Sequence, residues 1–328
     1  MIKYTLKRIL YMLFVFSIMS VILFSLYNMI PGDPARSEVE GLRETLKPDE
    51  YQLAYEQARA RLGLDDPAVV RYGRWAKGLL SGDLGQSKVH KVPVTKVVTQ
   101  PLKTTIFINI FAVIIGLGLT IPLGIYTAVK KNSTFDKIVQ VMTIVGHSIP
   151  VFIFALLFIY AFSVRLGWFP VSGMNTPNFK GTGWEAFKDT MWHLALPLLV
   201  MTIGALAGLT RYVRAAMADA LSMDYIKTAR AKGLKEKVVI LSHAWRNALL
   251  PVVTLIIGWF MSIFYGSLIT ERMFNLNGLG KLLIQSLNDM DYDVVMAIQL
   301  LYVVIALLGN LVSDLSYGLV DPRVRVNK

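Results

Sequence analysis

Few residues in this sequence have the types and spacing that chemistry requires. Asp314 lies inside an apolar stretch one turn after Asn310, where an unpaired, unwetted charge costs about 3 kcal/mol or more. It therefore needs a hydrogen-bonded partner on a neighbouring helix or a place along a wet substrate path, and both readings stand. His90, His147, His193 and His243 are isolated from one another and the chain has no cysteine, so no metal site and no disulfide framework can be read. A phosphate loop of the Gly-x-x-x-x-Gly-Lys-Ser type is absent, so the chain is not expected to hydrolyse ATP. The remaining candidate is the run Tyr225, Thr228, Ala229, Arg230, Ala231, Lys232, Gly233 and Leu234. Good helix formers there end at a glycine suited to a left-handed cap, which predicts a short helix with Gly233 at positive φ.

Composition sets the elements that must hold these residues. Hydrophobic residues are 54% and charged residues 17% of the chain, outside the range of soluble domains. A helix crossing about 30 Å of hydrocarbon needs roughly 20 mainly apolar residues, because each backbone polar group must bond within the segment. Six stretches qualify: Ile9 to Ile30, Thr105 to Val129, Ile138 to Val164, Leu194 to Leu209, Leu249 to Thr270 and Val294 to Val320. The expected fold is an all-α polytopic membrane protein with six transmembrane helices. The fourth stretch is the shortest, contains Gly204 and Gly208, and could begin near Trp192. The first starts like a signal peptide, with Lys3, Lys7 and Arg8, but is too long for a signal core and runs into Ile30-Pro31-Gly32-Asp33 rather than a cleavage site; it reads as a retained helix.

Lys and Arg near helix ends are held on the cytoplasmic side. With the N-terminus inside, the inner segments carry seventeen basic residues against five acids, and the outer segments seventeen against sixteen. Both termini, including Arg323, Arg325 and Lys328, are thus expected in the cytoplasm. The net charge of +12 reads as an orientation signal and not as a nucleic-acid footprint, since no binding motif accompanies it.

Two connections are long. The polar segment between Pro31 and Lys103 predicts a helix over Pro48 to Leu62, closed by Gly63, and a second over Pro67 to Leu80. It is expected to serve as a lid over the bundle, as a contact surface for an extracellular partner, or as both. On the inner side, Arg211 to Asn247 is too regular for a loose loop. Ala215 to Leu221 favours helix, and after Gly233 the residues Val238, Val239, Leu241 and Trp245 alternate with Lys235, Lys237 and Arg246. Such a pattern reads as an amphipathic helix along the membrane surface, or more sharply as an element that fits a groove on another protein. Gly116, Gly118, Pro122, Gly124, Pro150 and Pro197 punctuate the spans and suit either close packing or local breaks.

The run Tyr225 to Leu234, followed by His243-Ala244-Trp245-Arg246-Asn247-Ala248-Leu249-Leu250-Pro251, resembles the cytoplasmic signature of binding-protein-dependent ABC permeases. There the segment forms a coupling helix against the ATP-binding subunits. Lys227-Thr228-Ala229 replaces the family's Glu-Ala-Ala, and the stretch from Gly233 to Pro251 is longer than in sugar-type permeases; both departures are similar to the peptide and nickel branch. The resemblance runs through Ile30-Pro31-Gly32-Asp33-Pro34-Ala35, Leu62 to Pro67, Gly82-Asp83-Leu84-Gly85-Gln86-Ser87, Ser148 to Phe152, His193 to Pro197 and Tyr317 to Arg325. Together these segments are similar to the B-type subunit of peptide permeases.

The resemblance implies half of a translocation path in the cytoplasmic membrane, for peptides delivered by an extracellular binding lipoprotein. The implied partners are a second permease, two ATP-binding subunits and membrane lipid; ATP and Mg would be bound by the partners, with no cofactor in this chain. Nickel or another small solute is the alternative cargo. An ion-coupled secondary transporter is the alternative machine, but it would be expected to carry several intramembrane ionisable groups. The chain divides into 1–30, the cytoplasmic N-terminus and first span; 31–103, the extracytoplasmic insertion; and 104–328, a five-helix core that includes the coupling segment 211–248.

Overall fold

The structure, a computed structural model, describes residues 2–30 and 33–320. Pro31 and Gly32, and the closing motif and basic residues from Asp321 onward, lie outside the described residues. The helices in chain order are α1 (Ile2–Met29), α2 (Pro34–Val39), α3 (Pro48–Leu62), α4 (Ala68–Leu80), α5 (Val94–Val129), α6 (Thr134–Ser148), α7 (Val151–Phe158), α8 (Trp184–Ser222), α9 (Asp224–Ala231), α10 (Glu236–Val238), α11 (Trp245–Met261), α12 (Leu268–Met273), α13 (Leu279–Asn288) and α14 (Tyr292–Val320). Among them are five stretches long and apolar enough to cross a bilayer, or six when the bent pair of α6 with the α7 segment is taken as one span.

Apolar length explains where the spans are, and polar detail explains how they depart from straight rods. The third expected span is two helices bent by 99°. Pro150 disfavours a helical conformation in the residue before it, and Ile149 is extended, with ψ 125°. The fourth is far longer than its apolar window: α8 has 39 residues, starts at Trp184 and carries Pro197 inside it. The fifth expected span does not reach Thr270 as one helix. It stops at Met261, passes through a short 3-10 turn at Ser262–Phe264, and resumes as α12. The stretch after Gly233 is no separate amphipathic helix, because α10 runs through a π-helical turn at Val239–Ala244 directly into α11.

The centre of the bundle is α5 against α8. At Gly124 a Cβ would lie 2.6 Å from the Cβ of Val213, and at Gly116 it would lie 3.0 Å from the Trp259 ring, so both glycines permit close helix approach. At the end of the bundle nearest α9, Asp136 is fully buried and takes a bidentate pair from Arg214, with Nε–Oδ1 2.6 Å and Nη2–Oδ2 2.7 Å. The Asn132 amide and the Gln140 side chain donate to the same carboxylate. These four donors satisfy a buried charge and fasten α6 to α8.

At the opposite end, the insertion folds on its own small core of Ala35, Val39 and Ala58, with Tyr51, Tyr55 and Leu64 against it. Helix α3 begins and ends where its sequence signals place it. Pro48 occupies the first turn, the Lys47 amide donates to the Glu50 carboxylate at 3.2 Å, and Gly63 caps the end at φ 61°. Asp33 accepts from the Ala35 and Arg36 amides, which caps α2, and from the Tyr55 hydroxyl and Arg59. Burial alone pushes the Asp33 carboxyl up, but those donors hold it below its ordinary value. A depressed folded pKa contributes stability that is present above the unfolded value and lost as pH falls through the folded one. Protection of α2 amides from hydrogen exchange is therefore expected to persist on acidification to about pH 4 and to fall below it, and Asp33→Asn should remove that step. An unchanged acid profile in the Asn variant would remove Asp33 from this role.

Candidate functional site

Helix α9 is set off from α8 by one extended residue, Met223, at ψ 152°. Ile226 and Ala229 turn inward, into a cluster with Val213, Met217, Val239 and Ala244. Tyr225, Thr228, Ala231, Lys232 and Leu234 face outward. Arg230 is held within the chain, since Glu236 accepts from its Nη2 at 2.6 Å and its Nε at 3.1 Å; that hydrogen bond raises the Arg230 pKa. Gly233 has φ 76° and its amide bonds the Arg230 carbonyl at 2.9 Å. No neighbour lies within 4 Å of where a Cβ would sit, so the demand for glycine is one of backbone conformation alone. Met223, Tyr225, Leu234, Val238 and Leu241 are all exposed. These exposed apolar side chains surround a helix whose inward face is packed, the kind of surface that binds a partner protein or lipid.

A cavity of about 260 Å³ lies in the bundle, lined by Asn109, Val151, Met201, Gly204, Trp259 and Thr270 among others. Asp314 and Asn310 do not line it. Asp314 faces Arg8 of α1 at 2.9 Å, a contact that joins the first and last spans at the end away from the insertion, while Asn310 is exposed.

The turn between α11 and α13 borders the cavity through Ser262, Ser267 and Thr270, and the residues that brace this turn were not singled out in the sequence. Asn109 Nδ2 donates to the carbonyls of Ser262, Ile263 and Tyr265 at 3.1, 3.1 and 2.8 Å, satisfying the orphan carbonyls where the helix stops. Glu271, 3% exposed, accepts from the Thr105 hydroxyl at 2.8 Å and from the amides of Lys281 and Ser267 at 3.0 and 3.3 Å. The Thr105 oxygen in turn accepts from the Leu279 amide at 2.8 Å. Tyr302 completes the brace, its hydroxyl accepting from the Gly266 amide while its carbonyl accepts from the Tyr265 hydroxyl. A Cβ at Gly266 would lie 2.1 Å from the Gly280 nitrogen, so only glycine lets α13 start directly on the turn.

Comparison with known proteins finds matches along nearly the whole chain. A model of the inner membrane component of binding-protein-dependent transport systems matches residues 120–326, and a model of the N-terminal part of such membrane components matches residues 1–109. The oligopeptide transport system permease protein AppB of Bacillus subtilis (strain 168) is 37% identical over 325 residues, covering 99% of each chain. A putative peptide permease of Brucella suis biovar 1 (strain 1330) is 36% identical, covering 99% of this chain and 100% of that protein. The glutathione transport system permease protein GsiC of Escherichia coli (strain K12) is 34% identical, covering 99% of each. The inward-facing MetNI methionine ABC transporter shares the fold, with a TM-score of 0.53 at 17% identity over 69% of this chain and 97% of that one.

Proposed function

The chain belongs to the binding-protein-dependent transport system inner membrane components, and from that premise we propose that it forms half of the path by which an ATP-driven importer takes up peptides. The relatives named for oligopeptide, peptide and glutathione transport align over nearly its whole length, which is the observation that carries the peptide reading. Both termini and α9 face the cytoplasm in this reading. Two ATP-binding subunits, which hold ATP and Mg, seat α9 and its apolar surround; their closure moves α9 as a body. The inward packing of Ile226 and Ala229 carries that motion into α8, and α8 lines the cavity through Met201 and Gly204. A second permease completes the path. Asp314 with Arg8 serves as a strut between α1 and α14 rather than as a cargo contact, which the pairing supports.

The extracellular binding protein docks on the insertion, 31–103, the long polar segment of the sequence. Binding measurements on the cognate binding protein test the cargo: short peptides are expected to bind, and selective capture of nickel without peptide would overturn it. Replacing α3 by a short flexible linker tests the docking. Because α3 packs with α2 in the insertion's own small cluster, through Asp33, Tyr55 and Arg59 among others, the membrane core is expected to assemble with its partners, while stimulation of ATP hydrolysis by the binding protein is lost. Unchanged stimulation would remove α3 from the docking surface.

A further inference from the structure

Helix α4 carries three basic residues and no acid, and its apolar side is wider than its seat on the protein needs. Projected at about 100° per residue, Tyr72, Trp75 and Leu79 share one face, Ala76, Val69 and Leu80 the face beside it, and Arg71, Arg74 and Lys77 the opposite arc, interrupted only by Val70 and Gly78. The first face rests on α1. The Tyr72 hydroxyl lies 2.8 Å from that of Ser20, and the Phe24 ring meets Tyr72 and Trp75 at 5.5 Å each. On the second face Ala76 is partly covered, but at its two ends Val69 is 81% and Leu80 86% exposed among the described residues.

The contacts on α1 fix the depth. Arg8, paired with Asp314, marks the far end of the span. Ser20 and Phe24 stand about 18 and 24 Å beyond it at 1.5 Å per residue, inside a hydrocarbon layer about 30 Å thick. The tips of Tyr72 and Trp75 therefore reach below the headgroups, and the helix that carries them cannot stand clear in water.

We propose that α4 is an interfacial helix seated in the lipid leaflet at the insertion end of the bundle, with Val69 and Leu80 among the acyl chains and Arg71 and Lys77 turned toward lipid phosphates. An apolar arc opposed by one whose charges are all cationic is the pattern that lies in a bilayer surface, and aromatic residues favour the same depth. Arg74 is engaged by Asp66 and holds the entry to the helix. The seat deepens the reading of the insertion given above: with α4 in lipid, α3 is the helix left free to meet a soluble partner. It does not depend on the cargo.

The chain lacks cysteine, so Val69→Cys, Leu80→Cys and, on exposed α3, Leu53→Cys each give a single site for a nitroxide label. The labelled full chain, assembled with its partner subunits in phosphatidylethanolamine–phosphatidylglycerol vesicles, is exposed to oxygen or to a water-soluble nickel chelate. Labels at 69 and 80 are expected to relax several-fold more with oxygen than with the chelate, and the label at 53 is expected to show the reverse. Chelate access at 69 and 80 equal to that at 53 would overturn the proposal. So would shielding of 69 and 80 from both reagents, which would show that a protein covers α4. Uptake is not read in this experiment, so its outcome is separate from that of the transport function.

Discussion

Replacing Glu271 by Ala is expected to abolish uptake and to lower the thermal stability of the solubilised complex more than any other single change to the turn. The carboxylate satisfies the Thr105 hydroxyl and the amides of Lys281 and Ser267, and each buried donor left without an acceptor costs about 1–3 kcal/mol. Losing three at once removes a large share of a stability that is only about 5–15 kcal/mol for ordinary domains. Glu271→Gln keeps one acceptor oxygen but turns an NH2 toward an amide that already donates, so an intermediate loss is expected. Thr105→Val should reproduce part of the Ala effect, because the same hydroxyl also accepts from the Leu279 amide. Wild-type melting temperature and uptake in Glu271→Ala would show that the turn is held by its apolar contacts and not by this hub.

The second large effect concerns coupling. Gly233→Val forces a β-branched residue into φ 76°, at about 1–2 kcal/mol, a factor of roughly 5 to 30 in the population of the native bend. Because a Cβ there meets nothing within 4 Å, folding and assembly should suffer little, while substrate-stimulated ATP hydrolysis and uptake fall together as α9 loses its fixed exit angle. Gly233→Asn is expected to recover much of the activity, since Asn enters the left-handed region at lower cost than Val. If the Val variant assembles, hydrolyses ATP and transports at wild-type levels, the cap geometry is not needed for coupling.

The parts legible from sequence are those whose causes are local. Pro48 and Gly63 bound α3, and Gly233 closes the α9 segment, because the residues that fix those conformations are the ones at those positions. The long apolar windows announce the spans for the same reason. The 99° bend after α6 was hidden inside a continuous apolar run, although Pro150 and the residue before it carried its signal. That Ala215 to Leu221 is helical was legible, but its continuity with the fourth span was not, because the polar residues from Arg211 onward end the apolar window while the helix runs on to Ser222. Least legible was the brace around Glu271. Its acceptor role depends on Thr105, 166 positions away, and Asn109 reaches carbonyls more than 150 positions distant; no local pattern records such a pairing. Arg230 is a smaller case: its pairing with Glu236 of its own chain was not read from the sequence.

The central claim, that this chain is the passive half of an ATP-driven peptide path, is tested most directly by reconstitution. The chain is placed in vesicles with the second permease and the ATP-binding subunits, with the binding protein and a labelled peptide on the side facing the insertion. Peptide is expected to accumulate on the α9 side only with ATP and the binding protein present, and not in response to an ion gradient. Peptide accumulation by vesicles holding this chain alone, driven by an ion gradient without ATP, would contradict the account.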